Sequence, residues 1–309
     1  NSKKSVQRVV FTREMRRTHT ILLPNMLPIH FEIVKNVFSQ HGYKVELLHN
    51  EGPRISTTGL KYVHNDTCYP ALLVIGQFID ALQSGRHDVD RTALMITQTG
   101  GGCRASNYIH LLRKALDKAG FGRVPVVSLN LQGMERNSGF HLTLGMLYQC
   151  AAALIYGDEL MLLSNQVRPY EAVAGQTDAA LQRWIGTISS RLAEGGGCGL
   201  SQIRPILSQI ARDFAAIETV SAPRIKVGVV GEIYMKYASL GNNGLERFLQ
   251  SQGCEYCIPG VLGFGMYCMD SCGNDHRYYG GNWFKYLGGA IAKGYASDVV
   301  ADLYEKWDI

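Results

Sequence analysis

The first 130 residues alternate between short apolar runs and segments with helical spacing. His19-Thr20-Ile21-Leu22-Leu23, ahead of Pro24, predicts a strand over 18–24. Ile29, Ile33, Val34, Val37 and Phe38 recur at three- and four-residue steps and predict a helix over 29–40. A second strand is expected over 43–48, then a helix over 70–82 with Pro70 in the first turn, where its missing N–H does no harm. A buried strand over 92–98, an amphipathic helix over 106–119 and a strand over 125–129 continue the alternation, which favours a parallel sheet.

From Phe140 to about Ile217 the pattern is mainly helical. Long helices are expected over 142–156 and 177–192, with a break at Gly195-Gly196-Gly197-Cys198-Gly199. A second α/β unit opens near Pro223, with strands over 225–230 and 254–258 and a helix over 242–251. The glycine- and tyrosine-rich stretch from Tyr267 carries no assignable pattern. The expected fold is therefore α/β, two Rossmann-like parallel-sheet lobes joined by a mainly helical segment. Residues 1–17 form a basic leader or linker, 18–139 the first lobe, 140–222 the helical segment, and 223–309 a second lobe carried in whole or in part.

Composition narrows the class. The chain has 309 residues, 46% hydrophobic and 18% charged, enough for a sizeable core. The longest apolar run, Met146 to Leu163, is interrupted by Gln149, Gly157, Asp158 and Glu159, so no membrane span is expected. The basic start lacks the apolar centre of a secretory signal, and a cytoplasmic protein is the default. Lys3, Lys4, Arg8, Arg13, Arg16 and Arg17 against Glu14 account for the whole net charge of +5. The remaining charges cancel, which argues against a nucleic-acid surface. Eight irregularly spaced cysteines do not make a disulfide scaffold in a chain of this size.

Two cysteines carry the candidate chemistry. Cys68, in Asn65-Asp66-Thr67-Cys68-Tyr69-Pro70, and Cys103, in Thr99-Gly100-Gly101-Gly102-Cys103-Arg104-Ala105-Ser106-Asn107-Tyr108, each precede a predicted helix. A thiol there meets unpaired N–H groups and the positive end of the helix dipole, which favours the thiolate that binds metal or attacks electrophiles. Their separation of 35 residues is no zinc-finger spacing, but it suits ligands from neighbouring units of one sheet. Gly101 and Gly102 lead the backbone to the same place. Simple packing of two small side chains is the competing reading.

Other candidates are weaker. Cys254 and Cys257 form a C-x-x-C within a predicted strand, where positions three apart point to opposite faces. Cys150 sits in an apolar helix and reads as core. Glu232, after a second-lobe strand, suits a general base or a ligand contact, and His64 a proton carrier near Cys68. Ordinary loop polarity explains Glu232 equally well, and a solvated loop histidine is the stronger reading of His64. No G-x-x-x-x-G-K-[ST] loop, dinucleotide fingerprint or serine nucleophile elbow is present.

The two cysteine segments, together with Val126-Val127-Ser128-Leu129-Asn130, Val229-Val230-Gly231-Glu232-Ile233-Tyr234 and Gly241-Asn242-Asn243, resemble the 2-hydroxyacyl-CoA dehydratase and double-cubane-cluster superfamily. The nearest branch is the C-terminal module of acyl-CoA dehydratase activase-related proteins. The resemblance implies an iron–sulfur cluster, [4Fe-4S] or double-cubane, with Cys68 and Cys103 as ligands. It implies an electron supplied by an ATP-hydrolysing activase of the actin-like fold, separate or in the same polypeptide, in an anaerobic cytoplasm. The family's third-ligand motif is not found; Cys268 or Cys272 takes that place, or the ligand lies beyond Ile309. A homodimer is an expectation by analogy. Two rival functions follow from the same residues: a cluster-free docking module for the activase, and an enzyme using Cys103 as nucleophile.

Overall fold

The computed structural model describes residues 8–98, 103–130, 135, 138–280, 283, 286–290, 293–294, 297–298 and 301. The elements run α1 (Met15–Thr18), β1 (Thr20–Pro24), α2 (Pro28–Gln40), β2 (Lys44–Leu48), α3 (Pro53–Tyr62), α4 (Tyr69–Gln83), β3 (Thr92–Thr97), α5 (Tyr108–Lys118) and β4 (Val126–Leu129). There follow α6 (Leu144–Val167), α7 (Gln176–Ala193), α8 (Leu200–Ala215), β5 (Lys226–Gly228), α9 (Ile233–Tyr237), α10 (Ser239–Asn242), α11 (Leu245–Ser251), β6 (Glu255–Cys257) and α12 (Val261–Tyr279). The protein is α/β, with a four-stranded parallel sheet of order β2-β1-β3-β4 and a two-stranded parallel pair of β5 and β6.

The chain divides into two compact units, Asn1–Leu147 with Gly231–Phe248, and Tyr148–Val230 with Leu249–Ile309. In the first, the chain steps from β1 out to β2 and returns across β1 to β3. The reversal lies at the carboxyl ends of β1 and β3, where open α/β sheets bind ligands. Leu22, Leu94 and Ile96 of the sheet pack with Leu73, Phe78 and Ile79 of α4 and Ile109 and Leu112 of α5. Tyr234, Ala238 and Leu240 join this core. Residues 231–248, expected within a second lobe, thus belong to the first unit, because their apolar side chains are buried there.

α4 is buried on every face from Pro70 to Leu82. Its polar residues are bonded locally, although Gln77 Oε1 and Asn50 Oδ1 are buried with no hydrogen-bond partner among the described residues. Asn50 donates to the Gln77 carbonyl and to the Asp80 carboxylate at 3.0 Å each, and Gln77 donates to the Asn50 carbonyl at 3.0 Å. Arg54 pairs with Asp80 at 2.6 Å. α3, which the hydrophobic pattern does not show, crosses α4 at two glycines. A Cβ on Gly59 would lie 2.3 Å from the Leu72 carbonyl, and one on Gly76 2.3 Å from that of Ile55.

Part of the basic leader is packed against the first unit. Phe11 is fully buried, its carbonyl accepts the Gly139 N–H at 2.8 Å, and Arg16 stacks on Tyr43 at 4.5 Å. In the second unit, α7 buries Leu181, Trp184, Ile185 and Ile188, and α8 buries Ile203, Ile206, Leu207 and Ile210. α12 begins with the Asp158 carboxylate accepting the Val261 and Leu262 N–H groups at 2.8 and 2.9 Å. It ends at Gly280, whose φ of 69° is the left-handed conformation that glycine adopts most readily. The segment Leu144–Tyr170 is the one described helix long and apolar enough, by length and composition, to cross a membrane. Of its most apolar window 61% is buried inside the protein, as in a core helix.

Candidate functional site

Cys68 and Cys103 both stand at helix starts, as expected. Cys68 caps α4, and its carbonyl accepts the Leu72 N–H at 3.2 Å. Cys103 caps a short 3-10 turn, Arg104–Asn107, that leads directly into α5. Its Sγ accepts the Ala105 N–H at 3.4 Å, so the backbone of the turn is aimed at the sulfur. Gly101 and Gly102 lie outside the described residues.

The two loops are tied together. Arg104 donates to the Asp66 carbonyl at 3.0 Å, joining the turn after β3 to the loop before α4. The Tyr108 hydroxyl, at the start of α5, hydrogen-bonds Cys68 Sγ at 3.1 Å. Burial, the Cys68 hydrogen bond and the negative charges of Cys68, Cys103 and Glu232 together raise Tyr108 above the ordinary tyrosine range. Tyr108 therefore keeps its proton beside Cys68. Sequence reading assigned no role to Tyr108; no periodicity or spacing marks a contact 40 residues away.

The Cys103 turn is anchored from the sheet. Gln98 donates to the Ser106 carbonyl at 3.0 Å and accepts from the buried Ser128 hydroxyl at 2.8 Å. Asn130 donates to that hydroxyl at 2.7 Å. The polar residues of the Val126–Asn130 segment thus hold the support of the cysteine loop. Next to β4, Arg113 grips Glu135 through two hydrogen bonds of 2.7 Å.

Glu232 caps α9, accepting the Met235 N–H at 3.0 Å through Oε2. Its charge also acts on Tyr234, which burial, Glu51, Glu232 and Tyr69 together raise above the ordinary range. His64 is exposed; its Nδ1 accepts the Asp66 N–H at 3.2 Å and lies 3.3 Å from the Asp66 carboxylate. Cys268 is exposed on α12, in the second unit. Among the described residues no three His, Cys, Asp or Glu side chains converge as a metal-ligand set.

The other thiols follow the expectations. Cys254 is buried and Cys257 exposed, so the C-x-x-C diverges along β6. Cys150 is pushed up to about 12 by burial, which keeps it a neutral packing group. No family model, curated protein or solved structure matches the chain.

Proposed function

We propose that this protein is an iron–sulfur-binding, low-potential electron-transfer or reductase module of the 2-hydroxyacyl-CoA dehydratase kind. In this reading its two parallel sheets belong to Rossmann-like lobes, and it works in the cytoplasm with an ATP-hydrolysing activase. The observation that carries the proposal is the pair of thiols at two helix starts, in loops that Arg104 ties together through the Asp66 carbonyl. Soft thiolates are the donors that iron–sulfur clusters require.

Cys68 and Cys103 would hold the iron, which supplies one-electron chemistry when bound. They furnish two of the thiolates of an ordinary four-cysteine set. The Ala105 N–H and the Tyr108 hydroxyl lower the cost of negative charge on the sulfurs. The Arg104 link to the Asp66 carbonyl keeps the two loops in register. Glu232, whose charge is felt at Tyr108, is the candidate for moving a proton.

The test is anaerobic purification with iron and sulfide analysis and an electron paramagnetic resonance spectrum. Cys68→Ala and Cys103→Ala are each expected to lose the brown chromophore and its iron. Undiminished iron in both variants refutes the assignment. A folded, colourless parent protein without iron favours the cluster-free docking module instead.

A further inference from the structure

Cys103 and Cys68 receive their hydrogen bonds in different ways. The Cys103 sulfur accepts a backbone N–H from its own turn. The Cys68 side chain takes part in no capping bond at the start of α4. Its partner is the Tyr108 hydroxyl, 3.1 Å away. The Tyr108 ring is half-buried and packs against the main core, and its residue is the first of α5, so the hydroxyl is presented from a rigid element. A phenol O–H can donate or accept, but a thiolate can only accept.

We propose that Tyr108 is a positioning residue of the thiol site: its O–H donates to Cys68 Sγ and holds that sulfur, and its negative charge, in the orientation that iron binding uses. The inference rests on the iron–sulfur reading for its purpose, but the hydrogen bond itself can be tested without iron. The hydroxyl replaces the backbone donor that Cys103 has and Cys68 lacks. It therefore stabilises charge on one ligand sulfur from a side chain that substitution can remove without touching either cysteine. Hydrogen bonds to cluster sulfurs favour the reduced, more negative state and so raise the potential.

The experiment uses the full chain with Tyr108→Phe, which keeps the ring and removes the oxygen. In the first arm the iron-free protein is alkylated with iodoacetamide over a pH series that reaches the plateau of full Cys68 ionisation, each cysteine is followed by mass spectrometry, and the plateau rates are compared. The thiolate sulfur attacks the methylene carbon, the sulfur–carbon bond forms and iodide leaves. A hydrogen-bonded thiolate is the weaker nucleophile, so Cys68 is expected to react about two- to threefold faster in the variant, with Cys103 unchanged. In the second arm the protein is loaded with iron anaerobically. The reduction equilibrium is expected to shift about tenfold toward the oxidised state, a fall of about 59 mV for one electron.

An unchanged Cys68 rate in folded Y108F overturns the proposal, as does an unchanged potential in the loaded protein. If no iron binds to the parent, the iron–sulfur reading fails while the first arm still decides the hydrogen bond. Should Y108F not fold, fluorotyrosine at position 108 strengthens the donor and keeps the ring. It is expected to slow Cys68 alkylation, and no slowing overturns the proposal.

Discussion

Gly76→Ala tests how the helix that carries Cys68 is seated. A Cβ at position 76 would lie 2.3 Å from the Ile55 carbonyl oxygen, 2.9 Å from the Gly59 nitrogen and 3.1 Å from the Gly59 Cα. Carbon–oxygen contacts of this kind ordinarily sit at about 3.3–3.6 Å, so α3 must withdraw by about 1 Å. All three atoms are backbone, and no rotamer change relieves them. α3 is also pinned by the Arg54–Asp80 pair at its first turn. Overpacking of a tight core costs about 1–3 kcal/mol, and the better helix propensity of alanine returns about 0.8–1 kcal/mol. Because all three contacts are backbone, the cost falls at the upper end of that range, and we expect Gly76→Ala to destabilise the first unit by about 2 kcal/mol net. Gly186→Ala is the control. It lies within α7, is exposed, and a Cβ there meets nothing within 4 Å. It should stabilise the second unit by up to about 1 kcal/mol through propensity alone. Differential scanning calorimetry reads both, at roughly 2–4 °C per kcal/mol for units of this size. Equal or greater stability of Gly76→Ala, with Gly186→Ala stabilising as expected, would refute the close-crossing argument.

Other outcomes are open to measurement. Burial works to raise Glu135, but the hydrogen bonds and charge of Arg113, with Arg8 and His110, hold it below the usual carboxylate range. Its contribution is full above the unfolded carboxylate range, near pH 4.3, and is lost as pH falls through its lowered folded value. Glu135→Gln should flatten the acid limb of stability against pH and cost about 1–3 kcal/mol at neutral pH, read by urea unfolding; an unaltered acid limb counts against the pairing. Glu232→Ala removes the α9 cap and should cost about 0.5–2 kcal/mol, while Glu232→Gln, which keeps an acceptor oxygen, should retain most of that stability. Equal stability of parent and alanine variant in the same assay would show that the cap contributes nothing.

Much of the first unit is legible from residue pattern. The strand over Thr20–Pro24, the helix over Pro28–Gln40, and the helix starts at Cys68 and Cys103 rest on signals that span a few residues: apolar periodicity, proline in a first turn, and a turn leading into a helix. α3 was not legible, because Ser56, Thr57, Thr58 and Gly59 weaken its apolar stripe. Gly59 serves the crossing rather than the helix. α12 was not legible either. Its start is stabilised by Asp158, about one hundred residues earlier, and Gly263, Gly265 and Gly273 disguise its helical character.

What the sequence alone determined was the β/α alternation of the first 130 residues and the placing of two thiols where helices begin, because those depend on interactions within a turn or two of the chain. Only the tertiary structure decided that residues 231–248 join the first unit, that the charge of Glu232 is felt at Tyr108, and that Tyr108 reaches Cys68. Those pairings come from burying apolar faces of segments far apart in the chain. Many arrangements satisfy the same local pattern, and packing selects among them.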